Sequence, residues 1–266
     1  MPSKADQQLD LLVVGLARSG TTMFTNLLTN PDKRRLCLAE PRLTTRRAYR
    51  ESKKQYFRHV GAQEPITPES LAAFLFAHDR AGVKEIRSHH VRGAMRRYDP
   101  KRIALAVRDA RASLVSYYEK HQNRNKTQWR LRKPFPAKLF LRTAPMMLDL
   151  LEAEKDRVVV VRYEPFVKEP AYREEIAKAI DWPLDGDLGI FDSMSRKHDS
   201  GKHGKKVTTR SLSRATPTDP EVLQVLTPVL ERLADFQRAF GYPTQWDPPQ
   251  DAAPADAAPV ASDGRG

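Results

Sequence analysis

Short unbroken apolar runs alternate along the chain with longer segments whose apolar residues recur at helical spacing. Leu11-Leu12-Val13-Val14, Ile103-Ala104-Leu105-Ala106-Val107 and the Val-rich run Arg157 to Tyr163 have the composition of strands buried on both faces of a sheet. Val83 to Ser88 reads as a further short strand. After the first run, Met23, Phe24, Leu27 and Leu28 stand at helical spacing up to about Asn30-Pro31. Thr67-Pro68 is a cap followed by a first-turn proline, and Leu71, Phe74 and Leu75 continue it as an amphipathic helix. Further helices are predicted after Arg108-Asp109 through about Lys120, over Met146 to Glu152, over Pro170 to about Ile180, and over Asp219 to Phe240, closed by Gly241. Arg124 to Lys138 is basic and broken by Pro134 and Pro136, so it reads as a loop or cover. Strands alternating with helices predict an α/β chain, a mainly parallel doubly wound sheet in three α/β/α layers.

From Asp247 the sequence is Ala- and Pro-rich without apolar periodicity, so one domain over residues 1–246 and a disordered tail over 247–266 are expected. The tail holds four Asp and one Arg, so the chain's formal +13 becomes +16 over residues 1–246. Such a field attracts anions, whether nucleotides, sulfated or phosphorylated substrates, nucleic acid or anionic lipid, without choosing among them. Cys37 is the single cysteine, which excludes an internal disulfide and a cysteine-built zinc site. No run approaches the ~18–20 apolar residues of a membrane span, and MPSKADQQLD has no apolar signal region, so a cytoplasmic protein is the simplest reading.

The first buried run leads into Gly15-Leu16-Ala17-Arg18-Ser19-Gly20-Thr21-Thr22, a glycine pair with P-loop spacing that opens a helix. Glycines let the backbone turn tightly, and inward amides with a helix N-terminus favour a bound anion. A nucleoside-triphosphate site would have Lys where Thr21 stands; here the cation comes earlier, as Arg18. A second constellation follows the strand Ile103 to Val107. Arg108 stands at the strand's carboxyl end, Ser116 lies two turns into the next helix, and Asp109 is a helix cap. Arginine and serine can converge there on one anion, at the sheet edge where open α/β folds bind ligands.

Arg18-Ser19-Gly20-Thr21-Thr22 resembles the 5′-phosphosulfate loop of the sulfotransferases that use 3′-phosphoadenosine 5′-phosphosulfate. Arg108 to Tyr117 resembles the same family's 3′-phosphate motif. The resemblance runs from Leu9 to Tyr242, with its specific content in these two motifs and in Arg162-Tyr163-Glu164. It implies that Arg18, Ser19, Gly20, Thr21 and Thr22 hold the phosphosulfate, that Arg108 and Ser116 hold the 3′-phosphate, and that Tyr163 stacks near the adenine. Met23 stands where cytosolic members have Trp, and Pro165 where they have Asp. Arg196-Lys197-His198 and Gly201 to Lys206 are imperfect matches to the family's C-terminal phosphate clamp.

The implied reaction is an in-line attack on sulfur, which needs a base for the nucleophile's proton, cations near the bridging oxygen and fixed positioning, but no metal. Two bases are open. His89, in Arg87-Ser88-His89, resembles the histidine of cytosolic members, and strand alternation would turn His90 away from it. Glu40, in Ala-Glu-Pro after the phosphate loop, resembles the glutamate of carbohydrate-directed and bacterial members. The acceptor would be a small molecule, carbohydrate or lipid. A P-loop kinase is disfavoured by Thr21. A nucleic-acid-binding protein, suggested by the basic stretches Arg42 to Arg58 and Arg124 to Arg142 with Tyr56, Phe57 and Trp129, leaves the two ordered anion motifs unexplained.

Overall fold

A computed structural model describes residues 7–44, 56, 66–127, 134–185 and 216–247. Five strands, β1 (Leu11–Gly15), β2 (Arg35–Ala39), β3 (Arg80–Glu85), β4 (Arg102–Val107) and β5 (Val158–Arg162), form one sheet in the order β2-β3-β1-β4-β5. Every pairing is parallel; Val13, for example, faces Lys84 on one side and Ala104 on the other. β1 is apolar throughout and β4 is apolar after Arg102, because helices cover both faces of the sheet. Leu11, Val13, Cys37 and Ala104 look toward α1 (Thr21–Leu28), α6 (Tyr163–Lys168) and α7 (Pro170–Ala179), where Phe24, Phe166, Ile176 and Trp182 fill the layer. Leu12, Val14, Leu36, Val83 and Leu105 look the other way. They meet α2 (Pro68–Phe76), α3 (Ser88–Tyr98), α4 (Ala110–Thr127), α5 (Lys138–Ala153), α8 (Pro220–Glu231) and α9 (Ala234–Ala239). This is the doubly wound α/β/α architecture expected from the alternating pattern.

Local signals placed several elements well. Thr67 caps α2 reciprocally with Ser70, and α7 begins at Pro170. Asp219 accepts from the Glu221 amide at the head of α8, and Gly241 takes φ 70° beyond α9. Other boundaries differ. β3 is the segment 80–85, and Ser88 already belongs to α3, so His89 and His90 are helical neighbours rather than alternating strand residues. Their rings lie 3.9 Å apart. The stretch expected as one helix from Asp219 to Phe240 is two, because the chain leaves α8 at Arg232 and Leu233 before α9 starts. α4 runs on to Thr127, taking the first residues of the expected loop into a helix, and α5 starts eight residues before Met146. Residues 128–133 of that loop, the clamp candidates Arg196 to His198 and Gly201 to Lys206, and residues 248–266 lie outside the described residues. Asp247, the first residue of the expected tail, accepts a 2.6 Å bond from Arg111.

Candidate active site

All five strands deliver side chains of interest at their carboxyl ends, the edge at which this kind of sheet binds ligands. Between β1 and α1 the loop turns through left-handed Arg18 (φ 71°) and Gly20 (φ 84°). A Cβ at Gly15 would come within 2.6 Å of the Ser19 hydroxyl and 2.7 Å of the Ala106 carbonyl, so this turn is closed to any other residue. Ser19 is buried, and its Oγ donates to the Leu16 carbonyl at 2.8 Å, which makes its hydroxyl a brace of the loop. Thr21 is buried as well, while Thr22 is exposed. No side chain caps α1, and its first turn holds no acid, leaving its positive end to an anion.

The second anion motif meets this loop directly. Arg18 Nε donates to Ser116 Oγ at 3.0 Å, and Arg108 Nη1 donates to the Arg18 carbonyl at 3.0 Å. The guanidinium of Arg108 lies 4.4 Å from the centre of the Tyr163 ring, within cation–π range. That ring also abuts Gly20, where an added Cβ would approach Tyr163 Cδ2 to 2.4 Å. Tyr163 thus joins the two motifs from below, buried at the start of α6. Behind Arg108, Asp109 accepts from the Arg111 amide and from Gln237 Nε2, each at 2.9 Å, and so caps α4 as its sequence position indicates. Gln237, fully buried, accepts in turn from the Ala110 amide at 2.9 Å.

On the other side of the loop stands a residue that the sequence reading missed. Lys84, on β3, is buried, yet its Nζ bonds Glu40 Oε1 at 2.8 Å and reaches Thr22 Oγ1 at 3.5 Å. The signal was present: Lys84 and Glu85 place two charges directly after the apolar residues 81–83 of the strand, where burial is costly without a partner. Glu40 follows β2, a strand absent from the sequence reading, and is carried by this ion pair to the phosphate loop. His89 lies exposed in the first turn of α3. Partial desolvation, with Arg87, Arg42 and Arg142 nearby, holds its imidazole below the ordinary range. Burial pushes its neighbour His90 down to about 4.

The loop and sheet together define a P-loop-type α/β/α fold with the cations Arg18, Lys84 and Arg108 gathered at the carboxyl edge. No protein-family model and none of the curated proteins matches the chain. Solved structures do. The sulfotransferase domain of the Synechococcus PCC 7002 olefin synthase is 17% identical, covers 91% of this chain and 99% of its own, and superposes with a TM-score of 0.54. The sulfotransferase domain of the curacin biosynthetic pathway is 12% identical, covers 89% of this chain and 98% of its own, with a TM-score of 0.57. The chain has the sulfotransferase fold.

Proposed function

We propose that the protein transfers a sulfuryl group from 3′-phosphoadenosine 5′-phosphosulfate to a hydroxyl or amine of a small-molecule, carbohydrate or lipid acceptor. The observation that carries this reading is the pair of bonds from Arg18 to Ser116 and from Arg108 to the Arg18 carbonyl, which joins two anion motifs 90 residues apart into one cluster. In it, Arg18, the amides of residues 19–22 and the Thr22 hydroxyl hold the 5′-phosphosulfate. Arg108 and Ser116 hold the 3′-phosphate, and Tyr163 braces both. The catalytic unit is residues 1–246, in the cytoplasm. Among the described residues no helix is long and apolar enough to cross a membrane.

Glu40 is the base this arrangement favours, because Lys84 ties its carboxylate to the loop that holds the phosphosulfate. As the acceptor oxygen bonds to sulfur, its proton passes to Glu40 and the bond from sulfur to the bridging oxygen breaks. The electron pair leaves on adenosine 3′,5′-bisphosphate, where Arg18 and Lys84 offset the new charge. Binding tests the donor site: adenosine 3′,5′-bisphosphate should raise Tm well beyond AMP, which lacks the 3′-phosphate, and equal shifts would remove the 3′-site. Turnover tests the base. Glu40→Gln should lose about 10²–10⁴-fold while binding the bisphosphate normally. Loss in His89→Ala with turnover kept in Glu40→Gln would move the role to His89.

A further inference from the structure

Glu40 sits on a backbone that does not hold itself. The chain leaves β2 through Glu40 (φ 50°), Pro41 and Arg42 (φ 53°), two left-handed non-glycine residues flanking a proline. Such conformations persist where surrounding contacts over-determine them, and they cluster at functional sites. The contacts here come from the last two residues of β3. The Lys84 carbonyl accepts from the Glu40 amide at 2.7 Å, and Lys84 Nζ takes the Glu40 carboxylate. Glu85, on the opposite face of the sheet, accepts from the Arg42 amide through Oε1 at 2.9 Å. The turn is gripped on both sides, by Lys84 at its start and Glu85 at its end.

Glu85 is 3% exposed, among Leu43, Val83, Ala94 and Tyr98. A carboxyl buried there weakens the core relative to an apolar side chain of equal size. Burial raises it to about 8, against the opposing pull of the Arg42 amide bond, Lys84 and the Arg42 charge and with the push of Glu40. Near pH 7 it is therefore mainly an uncharged acid that keeps its acceptor oxygen. We infer that Glu85 is a positioning residue, which holds the Glu40-Pro41-Arg42 turn so that the Glu40 carboxylate stays aimed at Lys84 and the phosphate loop. The inference rests on Glu40 as the base.

Two substitutions separate the bond from the bulk. Glu85→Gln keeps an acceptor for the Arg42 amide and should turn over within about 2-fold of wild type, because the working form of Glu85 is itself neutral. Glu85→Leu removes the acceptor and should lower kcat by about 10²-fold, the scale of a small misplacement of a reacting group. Its KM for donor and its affinity for adenosine 3′,5′-bisphosphate should be unchanged, and the Arg42 amide should lose its protection from hydrogen exchange. Should Glu85→Leu not fold, Pro41→Gly loosens the same turn while leaving the Glu85 carboxyl in place, removes only the small buried Pro41 ring, and should show the same selective fall in kcat. A Glu85→Leu or Pro41→Gly enzyme as fast as wild type overturns the inference alone, as does a folded Glu85→Gln as slow as Glu85→Leu. Full turnover in Glu40→Gln, or wild-type protein that transfers no sulfuryl group to any acceptor class, removes the reading beneath it as well.

Discussion

Replacing Arg108 by alanine probes the joint between the two anion motifs. The side chain is 5% exposed, donates to the Arg18 carbonyl at 3.0 Å and covers the Tyr163 ring at 4.4 Å. In the free protein its loss removes that hydrogen bond and that cation–π contact among its interactions, these two worth about 1 kcal/mol each. A chain of this size loses roughly 2–4 °C per kcal/mol, so Tm should fall by roughly 4–8 °C. The effect on the donor product should be larger, since truncating one partner of a desolvated charge pair costs about 2–5 kcal/mol. That is a weakening of about 30- to 4000-fold in Kd for adenosine 3′,5′-bisphosphate. Titration calorimetry measures it, with AMP as the internal control: AMP lacks the 3′-phosphate, so its affinity should change by far less. Arg108→Lys should recover only part of the loss, because a point charge replaces a planar fork. Bisphosphate affinity within 3-fold of wild type in folded Arg108→Ala, or an equal loss for AMP, would refute this placement of the 3′-phosphate.

Two further outcomes follow from the geometry. Gly20→Ala combines a left-handed backbone with a Cβ 2.4 Å from the Tyr163 ring, so it should cost about 2–5 kcal/mol of stability and abolish bisphosphate binding; denaturant midpoints and calorimetry read both, and a neutral effect would show that the loop and Tyr163 part easily. Glu85 titrates near 8 in the folded protein against an ordinary 4.5, so the stability of its neutral form is complete below pH 4.5 and is lost as pH rises through 8. Among the described residues, Glu40, Lys84, Arg42, His90 and Tyr98 are the ionisable groups around it. Glu85→Gln has no such titration, so the Tm difference between variant and wild type should widen from about pH 5 to pH 9, and a constant difference would show that Glu85 is not desolvated.

The sequence by itself determined what neighbouring residues settle between themselves. The run Leu11 to Val14, the glycine-paired loop and the apolar spacing after it made β1, its loop and α1 legible without a fold. So did the Thr67 cap and the Pro170 start of α7. Arg108 and Ser116 were legible because a strand end and the next helix bring them together within a few turns. Elements whose character comes from distant partners were not. β2 is five residues of mixed type, with Arg35 and Cys37 in it, and is a strand because β3 offers it a parallel edge. α3 buries mostly small or polar side chains, His90, Gly93, Ala94 and Tyr98 among them, so its pattern looks unlike a helix against a core. Lys84 shows the limit most clearly. In sequence it is a charge that follows the short apolar stretch 81–83. Only the order β2-β3-β1 sets it between Glu40 and Thr22, since parallel strands align residues far apart in the chain at one edge, where a buried ammonium finds its carboxylate.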